Sequence, residues 1–274
     1  MSGSAGEPSK AYSTNWSLGT AADIQNICAS AAVIALVAGM SVIVHPIGWD
    51  AVLPPPAPNR TALVTGASSG IGAEFARDLA RRGHHVVLVA RRAEKLAELA
   101  GELGDAAAVV PADLSSREDR AALPDRVAAL GLEVDILVNN AGLSTVGPVA
   151  AFGPLPGQAA YGAAKSFVLS YTYAMREELK GTGVTATALC PGPVHTGFGE
   201  AAGISAEDAE ATLPKAMWVA AEDVARAGLD GLAAGRAVVV PGRLNRLSSA
   251  ACHLLPRGVL LPLLARGHPG LKKK

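Results

Sequence analysis

Downstream of Asn59, short apolar runs alternate with longer stretches whose apolar residues recur at helical spacing. The apolar runs predict buried strands at residues 61–65, 85–90, 107–110 and 135–139. The stretches between them predict helices at residues 73–82, 93–103 and 117–130. Strands and helices that alternate in this way form a parallel sheet with right-handed crossovers, and almost wholly apolar strands indicate helices on both faces.

The alternation resumes in the second half of the chain. A long helix is predicted at residues 159–179, a strand at 184–189, a helix at 221–234 and a last strand at 237–240. With 274 residues, half of them apolar and only 4% aromatic, the chain is long enough for one large α/β domain. The predicted fold class is a doubly wound parallel sheet.

The N-terminal part departs from this pattern, and three segments are predicted ahead of the domain. Residues 1–26 are polar and rich in Ser, Gly, Ala and Thr, which predicts disorder. Residues 27–52 form an apolar segment, and residues 53–58 are a proline-rich, stiff linker. The globular domain is predicted to span residues 59–274.

The apolar segment leaves two interpretations open. Residues 28–44 contain no charge. As a helix with a rise of about 1.5 Å per residue they would span somewhat less than a hydrocarbon core of about 30 Å. An extension over residues 28–49 would place Trp49 at the far interface, where Trp is enriched. The segment is therefore either a membrane anchor or a buried helix.

Composition narrows the classes of function. Lys plus Arg and Asp plus Glu both number 24, so the net charge is zero and nothing indicates nucleic-acid binding. Cys28, Cys190 and Cys252 are odd in number and far apart, which is typical neither of a disulfide framework nor of a zinc site. We therefore expect no metal and a reducing compartment, the cytoplasm, with the N-terminal segment as an anchor to a membrane if it spans one.

A glycine-rich turn follows the first predicted strand of the domain and opens the first helix. Glycines at such a place allow a tight turn and a close approach to a pyrophosphate, which rests on free N–H groups at the helix N-terminus. The predicted cofactor contacts in this turn are Gly66, Ser68, Ser69, Gly70, Ile71 and Gly72.

Two arginines, Arg91 and Arg92, follow the second strand of the domain. An acidic residue near this point would bind the ribose 2′-hydroxyl of NAD, whereas an arginine pair suits the 2′-phosphate of NADP. The alternative is a solvated start of the next helix, but arginine opposes the dipole at a helix N-terminus. The sequence therefore predicts NADP as cofactor.

Tyr161 and Lys165 are one helical turn apart in the long predicted helix, so they share a face. An ammonium group that close stabilises a phenolate and favours proton transfer by the tyrosine. Tyr161 would then give a proton to a carbonyl oxygen while NADPH delivers a hydride to its carbon. Taken alone, the pair would be better explained as a Tyr and a Lys that merely share a helix.

These motifs, in this order, resemble the short-chain dehydrogenase/reductase family. Two further motifs carry the resemblance, Asn139-Asn140-Ala141-Gly142 and Pro191-Gly192-Pro193-Val194-His195-Thr196. The resemblance covers Asn59 to the C-terminus and implies a Rossmann-like fold, hydride transfer between a nicotinamide and a carbonyl or secondary alcohol, and a C-terminal helix over the substrate cleft.

The resemblance also assigns roles to residues. It implies that Asn140, Ala141 and Gly142 steady the sheet beside the cofactor, and that Lys165 also holds the nicotinamide ribose. The residues implied to cradle the nicotinamide are Pro191, Gly192, Val194 and Thr196. Asp113 and Leu114 follow the third strand of the domain, where Asp113 is implied to reach the adenine amine; the alternative is that it caps the next helix.

The segment between the Asn-Asn-Ala-Gly motif and Tyr161 is unusually short. Only residues 143–160 are available for the helix and strand that the resemblance places there. An average helix of about 11–12 residues and a strand of about 5–6 leave almost nothing for loops. We therefore expect one central helix and one central strand to be absent, with a gap in the sheet or a direct pairing of the flanking strands.

The short segment also affects the catalytic set. The family's carbonyl-polarising serine would fall at Pro148, and no asparagine lies between Asn140 and Asn245 to serve a proton relay. An alternative function is therefore a catalytically impaired NADP-binding relative, a deletion product. The absent helix would also form part of a dimer interface, which leaves the oligomeric state open.

The substrate class can be stated only broadly. The resemblance implies a small carbonyl or alcohol. Apolar residues of the C-terminal segment favour a hydrophobic substrate, or else a helix packed against the sheet; they are Val259, Leu260, Leu261, Leu263 and Leu264.

Overall fold

The structure is a computed structural model that describes residues 41–46, 53–142, 151–152, 159–194 and 214–267. Its strands are β1 (Ser41–Pro46), β2 (Arg60–Thr65), β3 (His85–Ala90), β4 (Ala107–Pro111), β5 (Glu133–Asn139), β6 (Val184–Leu189) and β7 (Val238–Val239). Its α-helices are α1 (Gly70–Arg81), α2 (Ala93–Leu103), α3 (Arg117–Ala128), α4 (Ala159–Glu178), α5 (Ala221–Ala233), α6 (Arg243–Leu254) and α7 (Arg257–Gly267). Short 3-10 turns lie at Gly104–Ala106 and Lys215–Met217.

The described strands form one sheet in the order β4-β3-β2-β5-β1-β6-β7. Strands β2, β3, β4 and β5 pair in parallel, and β6 pairs in parallel with β7. The chain order reverses between β2 and β5, so the crevice where a doubly wound sheet binds ligands lies at the carboxyl ends of these strands. The predicted α/β, Rossmann-like fold is confirmed.

Strand β1 occupies the centre of this sheet. It pairs with β6 over six residues, from Ser41 opposite Leu189 to Pro46 opposite Val184, and with β5 at Val42, Ile43 and Val44. This is the place that the resemblance assigned to the missing strand. Neither a gap nor a direct pairing of β5 with β6 is seen, because the N-terminal segment fills the space.

Strand β1 runs against the direction of its two neighbours. β1 is antiparallel to both neighbours, so Pro46 ends at the same edge of the sheet at which β2 begins with Arg60. Pro46 lies at the end of the strand, where its missing N–H disturbs the ladder least.

Two expectations about the N-terminal part of the chain are therefore corrected, the start of the domain and the helical conformation of the uncharged run. The sheet extends ahead of the predicted boundary at Asn59, and residues 41–44, the end of the uncharged run, are a strand and not a helix. Residues 1–26 and 28–40 lie outside the described part of the chain. Among the described helices, none combines the length and the apolar composition that a membrane crossing requires.

Helices cover both faces of the sheet. On one face, α1 and α5 pack on the sheet around Phe75, Leu88 and Leu229, which are fully buried. On the other face, α3 packs on β2 to β5 through Leu123 and Val127, and α4 packs on β6 through a separate cluster. The core thus fixes the carboxyl ends of β2, β5 and β6 along one edge.

Candidate cofactor and catalytic site

The glycine-rich turn links β2 to α1 at the carboxyl edge of the sheet. Gly66 and Gly70 adopt φ values of +67° and +58°, which side chains rarely allow. A Cβ on Gly72 would lie 2.3 Å from the Gly66 carbonyl oxygen and 2.5 Å from the Asn140 amide nitrogen. Glycine is therefore required at these positions, for the turn at two of them and for close packing at the third.

Thr65 fastens this turn to the end of β5. Its hydroxyl accepts the backbone N–H groups of Asn140 (2.9 Å) and Ala141 (3.0 Å) and donates to the Val138 carbonyl (3.2 Å). The Asn140 amide nitrogen in turn donates to the Thr65 carbonyl at 3.1 Å. The turn and the Asn-Asn-Ala-Gly motif therefore form one rigid unit, in which Asn140 steadies the turn as expected.

Arg92 reaches over the same turn from the end of β3. Its guanidinium donates to the hydroxyls of Ser68 (3.1 Å) and Ser69 (3.0 Å). Both arginines of the pair are exposed, and the charge of Arg91 acts on Asp113. The Arg92 cation and two hydroxyls thus meet at one rim of the turn, an arrangement that suits a phosphate.

Asp113 forms a turn with Ser115 ahead of α3. Its carboxylate accepts the backbone N–H (2.9 Å) and the hydroxyl (2.7 Å) of Ser115, and these hydrogen bonds lower the pKa of Asp113. Ser116 caps α3 by accepting the N–H of Asp119. Ser116 and not Asp113 is therefore the N-cap of α3, and the adenine contact of Asp113 stays a prediction. Leu114 is buried in the core.

Tyr161 and Lys165 lie on α4 as the spacing predicts. The Lys165 ammonium is 5.0 Å from the centre of the Tyr161 ring, and the Lys165 side chain is buried. Burial lowers the pKa of Lys165 to about 7, and the neighbouring Cys190 opposes part of that shift. Burial also raises the pKa of the Cys190 thiol to about 12. An anionic ligand at this site would favour the charged form of Lys165.

The segment after β6 is held from two sides. Val194 bridges to Val219, whose N–H donates to the Pro193 carbonyl at 3.0 Å. Gly192 faces the side chain of Asn245, which a Cβ on Gly192 would approach to 2.2 Å. This close approach explains the need for glycine in the proposed nicotinamide cradle.

Asn245 is a site residue that sequence reasoning missed. It is 1% exposed, and its amide nitrogen donates to the carbonyls of Met217 (3.0 Å) and Pro241 (3.1 Å). It therefore ties α6 to the 3-10 turn at Lys215–Met217 and to the segment that follows β7. The only signal in the sequence was an asparagine shortly after the Pro241-Gly242 pair, which by itself indicates a turn.

Several expected positions lie outside the described residues. They include Thr196 of the cradle and Pro148, at the place of the family's serine. Among the residues that the structure does describe, no group of His, Cys, Asp or Glu could hold a metal ion.

The family model for short chain dehydrogenases matches this chain in two pieces, residues 60–153 and 145–205. The pieces meet within the short segment, which is where the sequence predicts a deletion. Together they cover more than half of the chain.

Individual relatives agree with the family model. Sulfoacetaldehyde reductase 2 of Chromohalobacter salexigens is 33% identical over 184 residues, which cover 50% of this chain and 73% of that protein. The NADP-dependent 3-hydroxy acid dehydrogenase YdfG of Escherichia coli K12 is 31% identical over 180 residues, 48% of this chain and 71% of YdfG.

A solved structure shows the same likeness in three dimensions. The short-chain dehydrogenase of Sphingobium yanoikuyae, solved in complex with NADPH, superposes with a TM-score of 0.59 at 29% identity. The match covers 74% of this chain and 95% of that one. By its sequence, its sheet and the order of its motifs, the chain belongs to the short-chain dehydrogenase family.

Proposed function

We propose that the protein is an NADP-dependent oxidoreductase that interconverts a carbonyl compound and a secondary alcohol. The observation that carries the proposal is the pairing of Tyr161 with a buried Lys165 at 5.0 Å, on a helix that packs against β6. The glycine-rich turn and the segment after β6 lie at the same edge of the sheet, which is where this fold binds dinucleotides.

The residues present suit a dinucleotide. The turn at Gly66 leaves the N-terminus of α1 open to a pyrophosphate, and NADPH, when bound, supplies the hydride. Tyr161 holds the proton that a carbonyl oxygen takes up, and Lys165 stabilises the phenolate that remains. Gly192 and Asn245 set the position of the nicotinamide cradle.

The preference for NADP rests on Arg91 and Arg92. Arg92 already spans the two serine hydroxyls of the turn, at 3.1 and 3.0 Å, where a 2′-phosphate would find both positive charge and donors. The relatives support this choice, since YdfG is NADP-dependent and the Sphingobium enzyme was solved with NADPH.

A second candidate function is a catalytically impaired NADP-binding relative. The observation in its favour is Pro148, which stands where the family has its carbonyl-polarising serine. Removal of such a donor costs about 10²–10³ in rate in comparable sites. The two candidates share the cofactor site and differ only in turnover.

Measurements of turnover and of NADPH binding together distinguish the two candidate functions. NADPH oxidation is followed with a panel of aldehydes, ketones and 3-oxo acids, with the alcohol product measured in the same samples. Alcohol formed in proportion to the NADPH consumed supports the oxidoreductase. NADPH that binds but is not consumed with any carbonyl supports the impaired relative.

The arginine pair yields a prediction about cofactor choice. Arg92→Ala removes a cation from the rim of the turn, and a hydrogen bond to a charged group contributes about 1.5–3 kcal/mol. We expect the Kd of NADPH, measured by calorimetry, to rise roughly 10- to 100-fold, with little change for NADH. Arg226→Ala, an exposed arginine on α5, is the control. An equal loss for both cofactors would contradict the 2′-phosphate assignment.

Asn245 yields a second prediction. In Asn245→Ala the donor to Met217 and Pro241 is lost and a cavity opens beside Gly192, so the nicotinamide cradle loosens. We expect NADPH affinity to fall roughly tenfold, the effect of about 1.4 kcal/mol, while adenosine 2′,5′-bisphosphate, which lacks the nicotinamide, binds as before. Ser249→Ala, one turn along and also buried, is the control. A similar loss for both ligands would show that Asn245 serves stability alone.

A further inference from the structure

Helix α6 is amphipathic, but it turns its polar side towards the core and its apolar side outward. The side chains that it buries are polar, Asn245 and Ser249, whereas its leucines point outward. Leu247 is 66% exposed and Leu254 is 82% exposed. A surface helix of a globular protein ordinarily turns its apolar stripe towards the core. In α6 the apolar stripe instead faces outward, where it is available for contact with another surface.

The outward residues of α6 form a stripe. Leu244, Leu247, Ala251 and Leu254 follow one another at intervals of three and four residues, which places them on one side of the helix. Helix α7 repeats the arrangement, because Val259 and Leu263 are about half exposed, one turn apart. Leu260, which follows Val259, is buried.

This apolar surface is concentrated in one part of the molecule. Seven of the ten large hydrophobic side chains that are exposed among the described residues lie in or between α6 and α7; they are Leu244, Leu247, Leu254, Leu255, Val259, Leu261 and Leu263. Exposed apolar side chains concentrated in this way mark an interaction site in a folded protein. We call these seven side chains the leucine face.

Charge is distributed unevenly around the leucine face. From Arg243 to the C-terminus the chain has no Asp or Glu and seven basic residues: Arg243, Arg246, Arg257, Arg266, Lys272, Lys273 and Lys274. Since the whole chain has 24 basic and 24 acidic residues, the first 242 residues carry a net charge of −7. Arg243, Arg246 and Arg257 are exposed next to the leucines.

We propose that the leucine face binds the surface of an anionic lipid bilayer. Helices with leucines on one side and arginines beside them lie in the plane of the membrane interface, with the apolar side chains among the acyl chains and the cations at the headgroups. A second copy of the chain would bring the same positive charges together, which opposes self-association through this face. The proposal does not depend on turnover or on the proposed oxidoreductase activity.

The test measures sedimentation of the full chain with phosphatidylcholine vesicles, with and without phosphatidylglycerol. We expect binding to the anionic vesicles only, weakened by salt because its electrostatic part is screened. The double substitution Leu247→Glu with Leu254→Glu should reduce binding roughly tenfold or more. Leu130→Glu, at another exposed leucine after α3, is the matched control and should leave binding unchanged.

A second pair of substitutions tests how much the positive charges contribute to binding. Arg243→Gln with Arg246→Gln keeps the leucines and should reduce binding to anionic vesicles roughly 30-fold, since each basic residue near the surface contributes about fivefold. Unfolding curves of all variants verify that they fold. Because residues 28–49 are the same in every variant, binding that persists in the leucine variant overturns the proposal. Equal binding to neutral vesicles, or a dimer that only the leucine variant disrupts, overturns it as well.

Discussion

Replacing Ile43 with proline is expected to abolish cooperative folding of the chain. Ile43 lies opposite Val138 of β5 and Thr187 of β6, so its N–H is inside the sheet whichever neighbour it faces. Proline cannot donate to a ladder and is not tolerated in central strands. A buried carbonyl left without its hydrogen-bond partner costs about 1–3 kcal/mol, a large part of a typical stability of about 5–15 kcal/mol. The loss of β1 would also separate β5 from β6.

Thermal unfolding followed by circular dichroism measures this effect. Ala57→Pro is the control, since Ala57 lies between two prolines in the linker and should change stability by no more than about 0.5 kcal/mol. A variant with proline at position 43 that unfolds at the wild-type temperature would show that β1 is dispensable.

Replacing Tyr161 with phenylalanine is expected to remove carbonyl reduction. The change deletes only the hydroxyl that transfers the proton, and general acid–base groups contribute about 10²–10⁴ in rate. The ring stays beside Lys165, so the Kd of NADPH should change by less than about twofold. Steady-state turnover with the best carbonyl of the panel, together with calorimetry for NADPH, gives both quantities.

Tyr173→Phe is the matched control on the same helix. Tyr173 is exposed on α4, three turns beyond Tyr161, and its substitution should leave turnover unchanged. Turnover that survives in Tyr161→Phe would assign the proton transfer to another group. Turnover and cofactor affinity lost together would indicate a structural role for the Tyr161 hydroxyl.

Local sequence patterns were sufficient to predict most strands of the sheet and the helices that pack on it. The predicted bounds of β3, β6 and α2 agree with the structure, because each is a continuous apolar run or amphipathic stretch between clear turns. The last strand is shorter than predicted, Val238–Val239 in place of residues 237–240. Such differences reflect pairing with β6, which only the folded sheet determines.

Strand β1 could not be predicted in the same way. A central strand with two covered faces has no alternation of polar and apolar residues, so a continuous apolar run fits a strand, a buried helix or a membrane anchor equally well. What selects the strand is the space between β5 and β6, which lie far along the chain. Counting residues 143–160 predicted that this segment is too short to supply a central strand, but not that another part of the chain takes its place.

The residues of the candidate site divide in the same way, into those that local patterns predict and those that depend on contacts between distant parts of the chain. Gly66, Gly72, Tyr161 and Lys165 could be predicted from the sequence because their proposed roles depend on short spacings within a turn or a helix. Asn245 was not found, since its role depends on contacts with Gly192 and Met217, more than 25 positions away. The reversed faces of α6 were also hidden, because the sequence shows the periodicity of a helix but not which side meets the core.

Amide hydrogen exchange of residues 41–46 in the full chain tests the central claim, that the N-terminal strand completes the sheet and so preserves the cofactor site. If β1 lies between β5 and β6, its amides exchange as slowly as those of β2 and β5, since central strands open only in global unfolding. Addition of NADPH should slow all three together, because a ligand that binds only the folded state stabilises it as a whole. Exchange of residues 41–46 at the rate of an unstructured peptide, with β2 and β5 protected, would contradict the account.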